Sequence, residues 1–149
     1  MVATNGRYYL ICNYDKYDDA SHYRLDRITG IKMLDIPAKP MKMVKGLENG
    51  LQLPKQMAEH IYMFAGESVA VKFRAEAHLV GEILDWFGLD VHFSNEAGGM
   101  VDVRVRVNAQ AFVFWALQYG QYVEVLEPAA LREEVKHAMT EIAGKYGME

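Results

Sequence analysis

Apolar and polar positions alternate in two short runs near the start of the chain. These are Arg7-Tyr8-Tyr9-Leu10-Ile11-Cys12 and His22-Tyr23-Arg24-Leu25-Asp26-Arg27-Ile28. A period of two predicts strands, and the polar loop Asp15-Lys16-Tyr17-Asp18-Asp19 between them predicts a hairpin over residues 7–14 and 22–28. A further short strand is expected through Ile31-Lys32-Met33-Leu34-Asp35. Pro37 and Pro40, with Lys39, Lys42 and Lys45, then break the pattern and mark a connector. Pro54 opens a candidate helix, with Leu53, Met57, Ile61 and Phe64 at helical spacing.

From Glu67 onward the periods are regular. Val69 to Arg74 alternates as a strand, and Ala77 to Phe87 repeats as a helix stopped at Gly88, with Leu79, Val80, Ile83, Leu84 and Phe87 inward. Val91 and Phe93 start a strand, and Asn95 to Gly99 makes a turn. Val101, Val103, Val105 and Val107 alternate with Asp102, Arg104 and Arg106, a half-buried strand with a charged outer stripe. Phe112, Trp115, Ala116 and Tyr119 mark a helix ended by Gly120, and Tyr122 to Leu126 reads as a strand. Pro128 opens a last helix with Leu131, Val135, Met139 and Ile142 on one face. The order β-α-β-β-α-β plus a helix is the ferredoxin-like split βαβ pattern, an α+β arrangement with helices on one face of an antiparallel sheet.

Composition narrows the class. At 149 residues the chain suffices for one domain or two small ones. The strands of the first 45 residues bury too little to stand alone, so they must pack on another domain, another subunit or sequence outside this chain. No apolar run is long enough for a membrane span, and the start from Met1 to Gly6 has no signal-peptide core. A lone cysteine, Cys12, excludes an internal disulfide and suits a reducing compartment, so a cytoplasmic location is expected. The net charge of −4 gives no sign of a broad basic face, but a few focused arginines can still make a local anion site.

Tyr8-Tyr9-Leu10 followed by Tyr23-Arg24-Leu25-Asp26-Arg27-Ile28 resembles the signature of WYL domains, with Tyr8 in place of the tryptophan. The part after Glu67, including Gly120 and Pro128, looks like the C-terminal extension that follows WYL in bacterial regulators. The resemblance implies a partial SH3-like β-barrel over residues 1–45, a linker with a short helix over 46–66, and the ferredoxin-like extension over 67–149. It also implies the effector-sensing and dimerisation region of a transcriptional regulator, as a homodimer. The ligand would be single-stranded nucleic acid or a nucleotide, and DNA would be held by a helix-turn-helix that this chain lacks. The rival within the same resemblance is a stand-alone accessory protein binding RNA or single-stranded DNA, as in a defence system.

The candidate ligand contacts are Arg27, Arg24, Tyr9, Tyr8 and His22. A guanidinium on a strand can hold a phosphate bidentately, and a strand tyrosine can stack on a base. Strand parity puts Tyr23, Leu25 and Arg27 on one face and His22, Arg24 and Asp26 on the other. Ser21 stands where family members carry an arginine, which removes one cation from the Arg27 face. No cofactor, metal site or catalytic group is called for. The five histidines lack ligand spacing, and no nucleophile–base pair can be argued. An acylphosphatase-type reading of the ferredoxin-like half needs an arginine in a glycine-rich loop, where the chain instead runs Ala75-Glu76-Ala77-His78.

Overall fold

The computed structural model describes residues 1–4 and 7–148, apart from the side chains of residues 4, 54 and 56. The chain divides into two compact units, the first ending at Leu53 and the second starting at Pro54.

In the first unit, β1 (Val2–Thr4), β2 (Arg7–Asn13) and β3 (Ala20–Arg24) form an antiparallel sheet in that order. Val2 lies opposite Tyr9, Tyr9 opposite Arg24, Ile11 opposite His22 and Asn13 opposite Ala20. Residues directly opposite share a face, so these side chains line one side of the sheet. That side packs: Val2 and Ala20 are buried, and Ala20 joins Val44 and Leu47 in a small core with Ile11 and Leu51 against it. The Asn13 amide donates to the Tyr17 and Asp19 carbonyls, which ties down the hairpin loop.

Two expectations fail here. The second strand stops at Arg24, and Leu25–Arg27 turns as a 3₁₀ helix, so strand parity does not reach Arg27. Residues 31–35 form no strand, and Ile31 and Met33 are almost fully exposed. A strand needs a ladder partner, and alternation alone supplies none. Strand β1 is absent from the sequence pattern because three residues are too few to show a period.

Helix α1 (Leu53–Glu59) begins on the last residue of the first unit and is shorter than its apolar spacing predicts. The period runs on to Phe64, but Tyr62 and Met63 have φ of 56° and 58°, which no helix accommodates. Four strands follow: β4 (Ser68–Glu76), β5 (His92–Ala97), β6 (Met100–Asn108) and β7 (Val123–Glu127). Their order across the sheet is β5-β6-β4-β7 and every pairing is antiparallel. With α2 (Val80–Phe87) and α3 (Ala109–Gln118) as the two crossovers and α4 (Ala129–Lys145) appended, this is the ferredoxin-like arrangement. The protein is α+β, as the periods require.

Local chemistry explains the boundaries. Gly88 ends α2 with a positive φ of 74°, and Gly98-Gly99, both at positive φ, close the tight β5–β6 turn. Asn108 caps α3: its side-chain oxygen accepts from the Ala111 N–H at 3.0 Å, while its amide donates to the Ala65 carbonyl. One face of the sheet is dry. Val71, Phe73 and Ala75 of β4 and the four valines of β6 meet Ile83 and Phe87 of α2 and Phe112 and Trp115 of α3. Phe73, Phe87, Phe112 and Trp115 form an aromatic cluster with centroids 4.8–6.2 Å apart.

Candidate functional site

The residues singled out on the first unit do not share one face of the sheet. Tyr9, Arg24 and His22 lie on the packed face of the sheet, each half-buried, whereas Tyr8 is on the other face and 60% exposed. Arg24 is already engaged: its Nε donates to Asp26 at 3.0 Å and its Nη2 to the second carboxylate oxygen. This bidentate clamp closes the 3₁₀ turn and commits the Nε–Nη2 edge of Arg24 to Asp26, so that a ligand would meet its Nη1 side. Arg27 is exposed and makes no hydrogen bond or ion pair among the described residues; the Arg24 hydrogen bond holds the Asp26 carboxyl below its ordinary range, and the Arg27 charge adds to it.

A better organised cation array lies on the outer face of the second sheet, opposite the aromatic core. Alternation in β4 and β6 sends Lys72, Arg74, Asp102, Arg104 and Arg106 outward while their neighbours fill the core. Register then sets them in rows. His92 of β5 lies opposite Arg104 of β6, and Arg104 lies opposite Lys72 of β4. With strands about 4.8 Å apart, that row spans about 10 Å of sheet. Like charges facing each other across a ladder are destabilising. Lys72 has Asp102 at 3.1 Å, but Arg104 is exposed and has no ion pair or hydrogen bond among the described residues. Arg106, one row on, meets Glu59 only at 4.0 Å.

The adjacent row is a closed network. Asp102 is 1% exposed, and it accepts from Arg74 Nε at 2.8 Å on one oxygen and from Asn95 Nδ2 at 2.9 Å on the other, where Lys72 also pairs. A buried carboxylate needs such partners to remain ionised. The Arg74 bond, followed by the Asn95 bond, holds the Asp102 carboxyl far below the usual carboxylate range against the opposing effect of burial. The network fixes where the Lys72 and Arg74 side chains stand, beside Arg104.

A pH dependence follows. Because the folded-state pKa of Asp102 is depressed, its stabilisation is complete above the unfolded value near 4 and is lost as pH falls through the folded one. Urea unfolding of the wild type and Asp102→Asn should therefore differ by a constant amount from pH 7 down to about 5. The gap should narrow steadily below about pH 4. A gap independent of pH would mean that the carboxylate charge contributes nothing.

The sequence marks Arg104 and Arg106 as an outward stripe, but it does not connect them with Lys72, Arg74 and His92. The Val-Ala-Val-Lys-Phe-Arg alternation of β4 carries half the signal. The other half, which residues lie opposite, is set by register and is invisible in one strand. Among the described residues no three His, Cys, Asp or Glu side chains come together as metal ligands.

The comparisons with known proteins bear on the second unit. The family model of the WCX domain matches residues 65–143, more than half of the chain. The chain belongs to the WCX-domain family. This is the WYL-related C-terminal domain that the resemblance leads one to expect after Glu67. Among solved structures, proteasome accessory factor B/C (PafBC) of Arthrobacter aurescens is 21% identical, with a TM-score of 0.43. The match covers 91% of this chain and 20% of that one, so the chain spans about one fifth of its length. No curated protein matches the sequence. The WCX assignment supports the reading of this chain as part of a WYL-type regulator.

Proposed function

We propose that this region senses an anionic, phosphate-bearing ligand, single-stranded nucleic acid or a nucleotide, and binds it without chemical change. The observation that carries the reading is the His92–Arg104–Lys72 row, whose central arginine has no partner among the described residues and faces a lysine. A phosphate placed there relieves the repulsion and gains charge-assisted hydrogen bonds. Arg106 and Arg74 extend the cation array along β6 and β4, the direction a phosphodiester chain would follow. The network around Asp102 holds part of this surface ready, which lowers the cost of ordering it on binding.

The first unit adds a separate contact in this reading, through the exposed Arg27 and Tyr8, while Arg24, Tyr9 and His22 support it from the packed face. In a homodimeric regulator the ligand acts by favouring one arrangement of the subunits, and the effect is limited to its differential affinity for the two. The test is fluorescence anisotropy of a labelled single-stranded oligonucleotide at 50 and 200 mM salt. Neutralising three or four phosphates predicts a loss of affinity of roughly 20- to 50-fold over that interval. Binding indifferent to salt, or none by folded protein, would remove the reading. For the first unit, Arg27→Ala should weaken binding by only about threefold, since one exposed arginine neutralises a single phosphate.

A further inference from the structure

Two features of the molecule lack partners and fit each other. The first is the run Ile31-Lys32-Met33-Leu34, which alternates as a strand would but has no ladder partner. Ile31 and Met33 are 92% and 94% exposed, and Leu34 is more than half exposed. Uncovered apolar side chains this close together mark a contact surface. Lys32, between them, makes no hydrogen bond or ion pair among the described residues.

The second is the outer edge of β7. That strand ends the sheet order, and β4 alone pairs with it among the described residues. The Glu76 N–H donates to the Tyr122 carbonyl at 3.0 Å, so the backbone of Tyr122 faces β4. Alternation along an antiparallel ladder then turns Glu124 toward β4 and the backbone groups of Val123 and Val125 away from it. The Arg132 side chain, which donates to the Val125 carbonyl from outside the sheet, agrees with this. Neither valine N–H has a partner among the described residues. Along the same edge a cavity of about 610 Å³ opens between β7 and α4, walled by Val123, Val125, Val135, Met139 and Ala143. An unpaired edge beside an apolar trough and a helix is the geometry in which a sheet takes up an extended segment.

We propose that residues 31–34 of a second copy of this chain add to β7 as an antiparallel strand, reciprocally in a twofold dimer. One register satisfies every position. With Lys32 opposite Glu124, Ile31 falls opposite Val125 and Met33 opposite Val123, so both apolar side chains enter the trough. Leu34 then meets Tyr122, itself 39% exposed. Ile31 and Met33 exchange backbone bonds with the outward groups of the two valines, and the Val125 carbonyl has a second lone pair beside the one Arg132 uses. Lys32 stands by Glu124, whose Oε1 is held by Arg132, so this pair sets the register and adds little affinity. Sliding Leu34 and Ile36 into the trough instead would put Asp35 opposite Glu124, where like charges repel. The interface uses none of His92, Arg104 and Lys72, so a monomeric chain that still bound an oligonucleotide would overturn this inference alone.

Sedimentation velocity of the whole chain over a range of concentrations tests the proposal. The expected result is a reversible dimer that Met33→Asp weakens by about tenfold or more. Met33 is almost fully exposed, so this variant keeps the fold, which circular dichroism checks. Ala143→Trp, which fills the trough from the other side of the contact, should weaken the dimer as much. Mixing the two variants should restore association, because the mixed dimer keeps one intact segment on one intact edge. A wild type that stays monomeric overturns the proposal. A dimer that Met33→Asp leaves unchanged also overturns it, as does a mixture of the two folded variants that associates no better than either alone.

Discussion

Replacing Phe73 with alanine lowers the unfolding free energy of the second unit by about 3–5 kcal/mol, the cost of truncating a fully buried aromatic side chain. The side chain is fully buried at the centre of the dry face, with ring contacts to Phe87, Phe112 and Trp115. These come from α2 and α3, so the ring is where the sheet and both crossover helices meet. Its removal leaves a cavity that three elements would have to collapse together to fill, which a close-packed interior resists. For a unit of this size the loss corresponds to a fall in Tm of roughly 15 °C or more. Phe114→Ala supplies the contrast. Phe114 is 52% exposed and stacks on Phe64 at 5.5 Å, so its truncation should cost only about 1 kcal/mol. Chemical denaturation of both variants checks the pair, and equal losses would mean that the core is not centred on β4.

Arg104→Glu should separate binding from stability. In the free protein a glutamate at this position faces Lys72 on one side and His92 on the other, so a like-charge pair becomes an opposite-charge pair. Arg104 has no partner to lose among the described residues and is exposed, so the unfolding free energy should stay within about 0.5 kcal/mol of wild type or rise slightly. Affinity for a single-stranded oligonucleotide should fall by at least tenfold, about 1.4 kcal/mol, because the variant removes a cation and adds an anion. The salt dependence should become shallower by roughly 0.7 in logarithmic slope for each phosphate no longer neutralised. A variant that bound weakly and was also much less stable would assign Arg104 a structural role instead.

How much of this is legible in the sequence differs between the two units. From β4 onward each strand of the second unit has five or more residues, α2 has a clear apolar face, α3 is apolar nearly all round, and Gly88, Gly98-Gly99 and Pro128 stand at the ends. Local signals and tertiary packing agree there, so the ferredoxin-like order can be read from periods alone. In the first unit they conflict. Leu25-Asp26-Arg27 continues an alternating pattern, but the Arg24–Asp26 clamp turns the chain into a 3₁₀ helix and away from β2, although Arg7 and Tyr8 extend past the last paired residue, Tyr9. Ile31 and Met33 alternate as a strand would and pair with no neighbouring strand. The candidate site divides in the same way. The outward placement of Arg104 and Arg106 follows from parity, whereas the meeting of Lys72, Arg104 and His92 depends on register, and the burial of Asp102 depends on three side chains closing over it. Neither can be derived from spacing within one segment.

The most direct test of the central claim is anisotropy with a labelled single-stranded oligonucleotide for wild type, Arg104→Glu and Arg27→Ala, each at two salt concentrations. The account predicts salt-sensitive binding by the wild type, a loss of at least tenfold in Arg104→Glu and a small loss in Arg27→Ala. Wild-type affinity in Arg104→Glu, with binding abolished in Arg27→Ala, would contradict it and return the ligand site to the first unit.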